Sequence, residues 1–423
     1  MGEFLKELVS VDEAIERLSG SMELSLGVID VRIDDALGLI SSNDIYAPYS
    51  LPYFNKSVVD GYAVRAEDTY GASHTNPVEL RIIGSVDIGS SPENLPELEP
   101  FTAVEISTGA PLPKGANAVV MYEDTERISD DRILIYKPVA KWTNVARIGE
   151  DFEVSQKILS KGEVVQAWHI AALASYGFSH IKVFRKLRIA VVPIGSELVE
   201  PEEPKPPLPG KIYEGTSYLI SSYLRSRKYV SVTRVKPLPD DEVKIKSVIS
   251  DLIVNHDIVI TVGGSSVGRK DLVVKTLTSL PNSKLIFRGV AIRPGRPASA
   301  VVVDGKPIFV LSGFPVAALA ALDLVFIPTI KKVLNIKEIE GSYIKAKLVR
   351  RLVNVTGYTS YARVRVFRCG NEICAEPLRI TGSGVLSTLI RGNGVIVIPP
   401  DVEGYEVGEV VNVKLVNPLD LAN

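Results

Sequence analysis

The chain reads as a multidomain α/β plus β protein, and three observations carry that reading. Between Lys186 and Leu334 strands alternate with helical stretches, the pattern of a mainly parallel sheet with helices on both faces. On either side, short β-type runs are separated by Gly, Pro and Asn, as in compact β domains. A length of 423 residues leaves room for about three domains, and 46% hydrophobic residues can fill a core in each.

At the amino end, Ser10 with Glu13 makes a capping-box pattern, and Val11, Ala14, Ile15 and Leu18 form one apolar helical face. A second short helix is expected from Val31 to Leu37, ending at Gly38. From Asp44 to about Pro138 the runs VELRIIGSV, AVEIST, NAVVMYED and RILIY predict a β-rich domain. An Ala-rich helix, Gln166 to Tyr176, can pack back on the amino-terminal helices, which makes the β-rich segment an insertion. In the α/β part RIAVVPIG, VSVTRV and DIVITVGG are strands, while TSYLISSYLRSRKY, DEVKIKSVISDLIVNH and DLVVKTLTSL are helices. The strand pair KLIFRGVAI and SAVVV…PIFVLS and a long helix after Pro315 complete it, with a proline-rich loop at Pro201–Gly210. Beyond Asn335, KAKLVRRLV, YARVRVFR, GVIVIPP and EVVNVKLV predict a small β-barrel or sandwich.

Fifty acidic residues against 48 basic ones give a net charge of −2. That balance argues against coating nucleic acid or a membrane through bulk charge. Four histidines with no i, i+4 pair and a single cysteine pair argue against a His/Cys zinc site, so any metal is expected on oxygen ligands. The most apolar helix candidate, Val316 to Ile330, is interrupted by Asp323 and followed by Lys331 and Lys332. The amino end also lacks the apolar core of a signal peptide, so a soluble cytoplasmic protein is expected. Cys369 and Cys374 flank a turn and can face each other across a hairpin; free thiols are expected, because cytosolic disulfides are rare.

The strongest local motif is IVITVGGSSVGRKD, Ile258 to Asp271, where a strand ends in Gly263, Gly264, Ser265 and Ser266. Glycines at the carboxyl end of a parallel strand let backbone N–H groups cradle an anion; a tight turn is the plainer alternative. In AIRPGRPAS, Arg293 and Arg296 stand on a Pro-Gly-Pro frame, suited to an oxyanion or phosphate or simply solvated. FVLSGFPV would bring Ser312, Gly313 and Pro315 to the same sheet edge. Asp240 and Asp271 follow adjacent strands and can converge on one Mg²⁺ bridging phosphates, or cap helices. Glu197, Glu214, Asp60, Thr108 and Asp151 sit in further turn motifs, each singly readable as a turn or cap residue. No nucleophile–histidine pair stands near these loops.

Taken together, NKSVVDGYAV, ISTGAPLPKGANAVVMYED, RIGEDF, GSEL, KIYEGTS, PLPDD, VITVGGSSVGRKD, RPGRP, LSGFPV and ITGSGV resemble, in collinear order, the molybdopterin molybdenumtransferase family of bacterial MoeA and the carboxyl-terminal domain of gephyrin. The resemblance runs from Asn55 to Val385. It implies a homodimer with an extended helical domain (1–46 plus 141–185) and an inserted β-rich domain (47–140). A molybdopterin-binding α/β domain (186–334) and a carboxyl-terminal β-barrel (335–423) follow. The implied reaction inserts molybdate, or tungstate, into adenylylated molybdopterin with Mg²⁺-dependent release of AMP.

By the same resemblance Asp240 and Asp271 hold Mg²⁺, and Gly263, Gly264, Ser265 and Ser266 cradle the pterin phosphate. Arg293 and Arg296 occupy the two lysine positions of the family's K-P-G-K-P and, with Arg363 and Ser383, form the oxyanion pocket. Glu214 and Pro315 match pterin-site positions, and Asp60, Thr108, Asp151 and Glu197 match positions of function, the first three reaching across from the domains outside the α/β unit; the family's site lies between the α/β domain of one subunit and the β-rich domain of the other. Where the family has L-P-G-N-P-V-S, this chain has LSGFPVA, with Ser312, Phe314 and Ala317 replacing Pro, Asn and Ser. Two other roles fit the pattern: the preceding adenylylation of molybdopterin, whose enzyme is also a possible partner, and non-catalytic pterin binding or scaffolding.

Overall fold

The structure, a computed structural model, describes residues 8–202, 205–264, 272–338, 341–378 and 382–418. The chain divides into two units, one of residues 44–160 and 172–177, the other of residues 1–43, 161–171 and 178–423.

In the larger unit a six-stranded sheet runs in the order Val230–Arg234, Leu187–Pro193, Ile258–Val262, Lys306–Leu311, Ser299–Val303, Ser283–Arg288. The first four strands are parallel, and Ser299–Val303 is antiparallel to both its neighbours. Both faces are covered, which is why the central strands are unbroken apolar runs rather than alternating ones. Ile189, Val191, Ile260, Phe309 and Leu311 face the helices Val11–Ser19, Thr216–Arg225 and the run from Pro315 to Val333. Ala190, Val192, Val259, Ile308 and Val310 face the helices Glu242–Asn255 and Leu272–Thr278. The Val11–Ser19 helix is capped as its sequence predicts: Ser10 Oγ accepts from Glu13 N at 3.1 Å, and Ala14 and Leu18 are buried.

The helix expected from Val31 to Leu37 does not form. Val28–Arg32 is a strand paired antiparallel with His180–Phe184, and only Ile33–Asp35 winds into a 3₁₀ turn. A helix that short pays its nucleation cost without return, whereas β-branched Val28, Ile29 and Val31 gain a full hydrogen-bonded ladder from their partner strand.

Tyr343–Leu348, Thr359–Cys369, Glu372–Pro377, Gly394–Ile398 and Val410–Leu415 close into a five-stranded barrel, because Thr359–Cys369 pairs with both Glu372–Pro377 and Gly394–Ile398. The barrel interior is filled by Ala346, Leu348, Ala362, Val364, Ile396 and Val413. Ile292–Arg293 joins the edge of this barrel, parallel to Thr359–Ser360. Cys369 and Cys374 are joined as a disulfide, correcting the expectation of free thiols. The hairpin brings their Cα atoms to 5.9 Å, within bridging range, and proximity set by the strand register outweighs the prior from compartment.

The smaller unit is built on a six-stranded sheet in the order Ala118–Met121, Gly61–Val64, Thr102–Ile106, Val78–Val86, Arg132–Ile135, Thr125–Ser129. Tyr62, Val64, Leu80, Val120 and Ile133 pack on one of its faces, and Ala63, Val86, Val104 and Val119 on the other. Two short antiparallel pairs, Ile45–Tyr46 with Lys157–Leu159 and Lys56–Ser57 with Val145–Ala146, tie its ends together. Among the described residues no helix is long and apolar enough to cross a membrane.

Candidate active site

In the α/β sheet the chain leaves Leu187–Pro193 for Val230–Arg234 on one side, then returns to Ile258–Val262 on the other. The carboxyl ends of Leu187–Pro193 and Ile258–Val262 therefore flank a crevice where the strand order reverses, the usual ligand position in such sheets. A cavity of about 550 Å³ lies there, lined by Ile194, Glu197, Glu214, Thr216, Gly263, Gly264, Ser312, Gly313, Phe314, Pro315, Gly384 and Leu386, among others. Its size suits a cofactor-sized ligand.

Gly263 and Gly264 form the floor. Both have positive φ, 97° and 67°. A Cβ on Gly263 would strike the Ile194 carbonyl oxygen, and one on Gly264 the Val273 side chain. Gly263 N donates to Leu311 O at 3.0 Å, holding the bend against the neighbouring strand. Ser265, Ser266 and Asp271 lie outside the described residues.

One wall is the start of the Thr216–Arg225 helix. Glu214 is 4% exposed, and its carboxylate accepts from Ser217 N at 2.7 Å and from Ser217 Oγ, with an Arg234 nitrogen 3.9 Å away. Its negative charge thus caps the helix. Thr216 Oγ1 donates to Gly313 O at 2.7 Å and clamps the Ser312–Pro315 turn to this wall. Arg234 also pairs with Glu200 at 2.7 Å and lies over the Tyr218 ring, 3.9 Å from its centroid.

Asp240 lies beyond the cavity lining, on the loop after Val230–Arg234. Ser196 N donates to Asp240 Oδ2 at 3.0 Å, and Asp240 N donates to Ser196 Oγ at 2.9 Å, so two loops from separate strands are cross-linked reciprocally. Asp241, not Asp240, caps the next helix, accepting from Lys244 N at 2.9 Å. Glu197 is exposed and folds back over Gly195, where a Cβ would meet its carboxylate oxygens at 2.8 Å. Among the described residues no group of three or more His, Cys, Asp or Glu side chains gathers as a metal site.

Ser383 O accepts from Val316 N at 3.0 Å, which brings the 382–386 loop of the barrel domain onto the Pro315 turn. Arg293 and Arg296 are exposed; Pro297 of the same loop lines the cavity. A Cβ on Gly295 would lie 3.1 Å from Ala317 O, so this loop and the Pro315 helix approach closely. Arg363 is 2% exposed and faces a second cavity of about 160 Å³ shared with Tyr223, Tyr361 and Thr388. Its Nε donates to Thr388 Oγ1 at 3.3 Å and Nη1 to Tyr361 O at 3.1 Å. Burial lowers this guanidinium from its ordinary range, an effect Tyr361 opposes.

In the smaller unit the structure joins two predicted residues directly: Thr108 N donates to Asp60 Oδ1 at 2.7 Å. Asn55 Oδ1 accepts from Ile148 N at 2.9 Å and Asn55 O from Leu112 N at 2.8 Å, so the loops around Asp60, Thr108 and Asp151 meet on one segment. Asp151 is exposed, with its N–H on Leu51 O at 3.0 Å.

Comparison with known proteins bears on this geometry. Residues 9–177 match the MoeA N-terminal region (domain I and II), residues 190–332 a probable molybdopterin binding domain, and residues 345–416 the MoeA C-terminal region (domain IV). A molybdopterin molybdenumtransferase of Staphylococcus epidermidis is 33% identical over 96% of this chain and 95% of its own. A putative molybdopterin biosynthesis protein of Methanocaldococcus jannaschii is 38% identical over 97% of this chain and 98% of its own. The chain belongs to the MoeA family. The crystal structure of a Pyrococcus horikoshii MoeA superposes with a TM-score of 0.83 at 30% identity, covering 97% of this chain and all of that one.

Within the MoeA framework, the motif strings show which residues border the cavity but not what clamps them. Thr216, which clamps the Ser312–Pro315 turn, and Ser196, which is cross-linked to Asp240, fall inside KIYEGTS and GSEL without standing out there. The ion pair of Asp323 with Lys414, 91 residues apart in sequence, left only one signal, an acid in an otherwise apolar helix.

Proposed function

We propose that this chain is a molybdopterin molybdenumtransferase that takes adenylylated molybdopterin and molybdate, or tungstate, and releases AMP. The observation that carries this reading is the 550 Å³ cavity over the Gly263–Gly264 bend at the point where the strand order reverses, in a chain of the MoeA family. The N–H of Gly264 receives the pterin phosphate beside a bend that Gly263 N pins to Leu311 O, while Glu214 caps the helix start and Thr216 holds it against the Ser312–Pro315 turn. Arg293 and Arg296 attract the incoming oxyanion, with Ser383 on the barrel side, whereas buried Arg363, expected in the same pocket, faces the second cavity.

The family implies Mg²⁺, and Asp240, an exposed carboxylate held by Ser196 N, is an oxygen donor of the kind a hard cation takes, with Asp271 following the glycine loop in sequence as the second. Asp240 and Asp271 would hold Mg²⁺, which would supply neutralisation of phosphate charge. Asp60, Thr108 and Asp151 act on the same substrate from the partner subunit of a homodimer, and the protein works in the cytoplasm.

The test is AMP release from adenylylated molybdopterin with Mg²⁺, titrated with molybdate and then tungstate. Release that rises and saturates with either oxyanion is expected. No release with both, alongside formation of the adenylylated pterin from ATP, assigns the preceding adenylylation step instead.

A further inference from the structure

The cavity carries an apolar feature that its phosphate- and oxyanion-binding residues leave unused. Phe314 lines it and is 58% exposed, in a turn otherwise built of small residues. The backbone at Phe314 is held on both sides: its N–H donates to Ser312 Oγ at 3.2 Å, and its C=O accepts from Ala318 N at 2.9 Å. Pro315 follows and stiffens the turn. The ring abuts a position that tolerates it only without a side chain, since a Cβ on Gly384 would lie 2.9 Å from Phe314 Cδ1. Leu386 and Ile212 line the same cavity and are also largely exposed. An aromatic ring fixed in a cavity yet not packed away is a face prepared for a flat apolar surface.

We propose that Phe314 is the stacking platform for the planar nitrogen heterocycle of the substrate, its pterin or its purine ring. This rests on the pterin-nucleotide reading above and adds the residue that grips the ring. Where the family's usual motif has an asparagine, the phenyl ring of Phe314 offers a π-face, which recognises the flatness of the heterocycle rather than its substituents. Phosphate recognition by the glycine bend is independent of it.

Calorimetric titration of AMP, 6-hydroxymethylpterin and inorganic pyrophosphate into the unaltered protein, Phe314→Leu and Phe314→Trp tests this. Stacking predicts that Phe314→Leu weakens at least one of the two ring compounds by about 10-fold while pyrophosphate is unchanged. Phe314→Trp retains or tightens the same compound, and the compound affected identifies the ring. Unchanged affinity of both ring compounds in Phe314→Leu overturns the proposal. Equal losses for pyrophosphate also overturn it, because the turn has then moved as a whole. If pyrophosphate binds the unaltered protein but neither ring compound does, the pterin-nucleotide reading falls together with it.

Discussion

Lys414 Nζ lies 2.8 Å from Asp323 Oδ2 and 2.9 Å from Oδ1, joining the last barrel strand to the helical run that begins at Pro315. Asp323 also accepts from Tyr223 OH at 2.8 Å, and its side chain is only 4% exposed. The wide π turn Leu322–Phe326 contains this residue. Removing one partner strands a buried charge, so Lys414→Met is expected to cost about 2–4 kcal/mol. Asp323→Leu combined with Lys414→Met is expected to recover most of that, which urea unfolding of the three variants checks.

The glycine bend gives a sharper outcome. At φ 97° with the Ile194 carbonyl against it, Gly263 accepts no side chain without moving the cavity floor. Gly263→Ala is expected to weaken pyrophosphate binding by about 10-fold or more, with far-UV circular dichroism unchanged. Retained affinity would remove this loop from phosphate recognition.

Arg293 and Arg296 are exposed, so their replacement leaves stability near its starting value. Arg293→Ala and Arg296→Ala are each expected to raise the molybdate concentration for half-maximal AMP release by about 10-fold. Tungstate titrations of the same variants show whether one guanidinium discriminates between the oxyanions.

Acid stability should report Asp257. Burial pushes its carboxyl up, but hydrogen bonds from Arg185 and Arg188 N and the charges of both arginines outweigh this and hold it below the ordinary 3.8. A carboxyl depressed in the folded state adds stability that is full above its unfolded value and is lost as pH falls through the folded one. Unfolding free energy is therefore expected to decline as pH drops below about 4, and Asp257→Asn to flatten that decline while lowering stability at pH 7 by roughly 2–4 kcal/mol. Denaturant titrations from pH 7 to pH 2 measure both.

The proposed site shared between two subunits predicts complementation. Asp60→Ala and Asp240→Ala are each expected to be inactive alone, while co-expression restores about a quarter of the unaltered activity, since half of the dimers are mixed and each carries one intact site. Absence of recovery places both residues at one subunit's site or excludes the dimer.

Much of the α/β domain is legible because its signals are local. Unbroken apolar strands, helical periodicity and the Gly263–Gly264 punctuation each depend on a few neighbouring residues. The Val31–Leu37 helix failed for the opposite reason: its strand partner, His180–Phe184, lies about 150 residues away and no local preference records it. The pairing of Cys369 with Cys374 turned on strand register, which sets Cys374 opposite Phe367 and so makes the two cysteines diagonal neighbours on one face of the hairpin.

The chain's fold class, its MoeA membership and the identity of the cavity-bordering motifs were all present in residue order, because each is written in short strings and periodicities. Tertiary structure alone decided which of those residues act on the cavity and which brace it. Glu214 serves as a buried helix cap, Asp240 is cross-linked to Ser196, and Arg363 faces a second cavity between the barrel and the helices that carry Tyr223 and Leu319. Phe314, in sequence only a lost asparagine, became an exposed ring in the pocket. Such roles arise from contacts between segments distant along the chain, and these are set by packing rather than by neighbours in sequence.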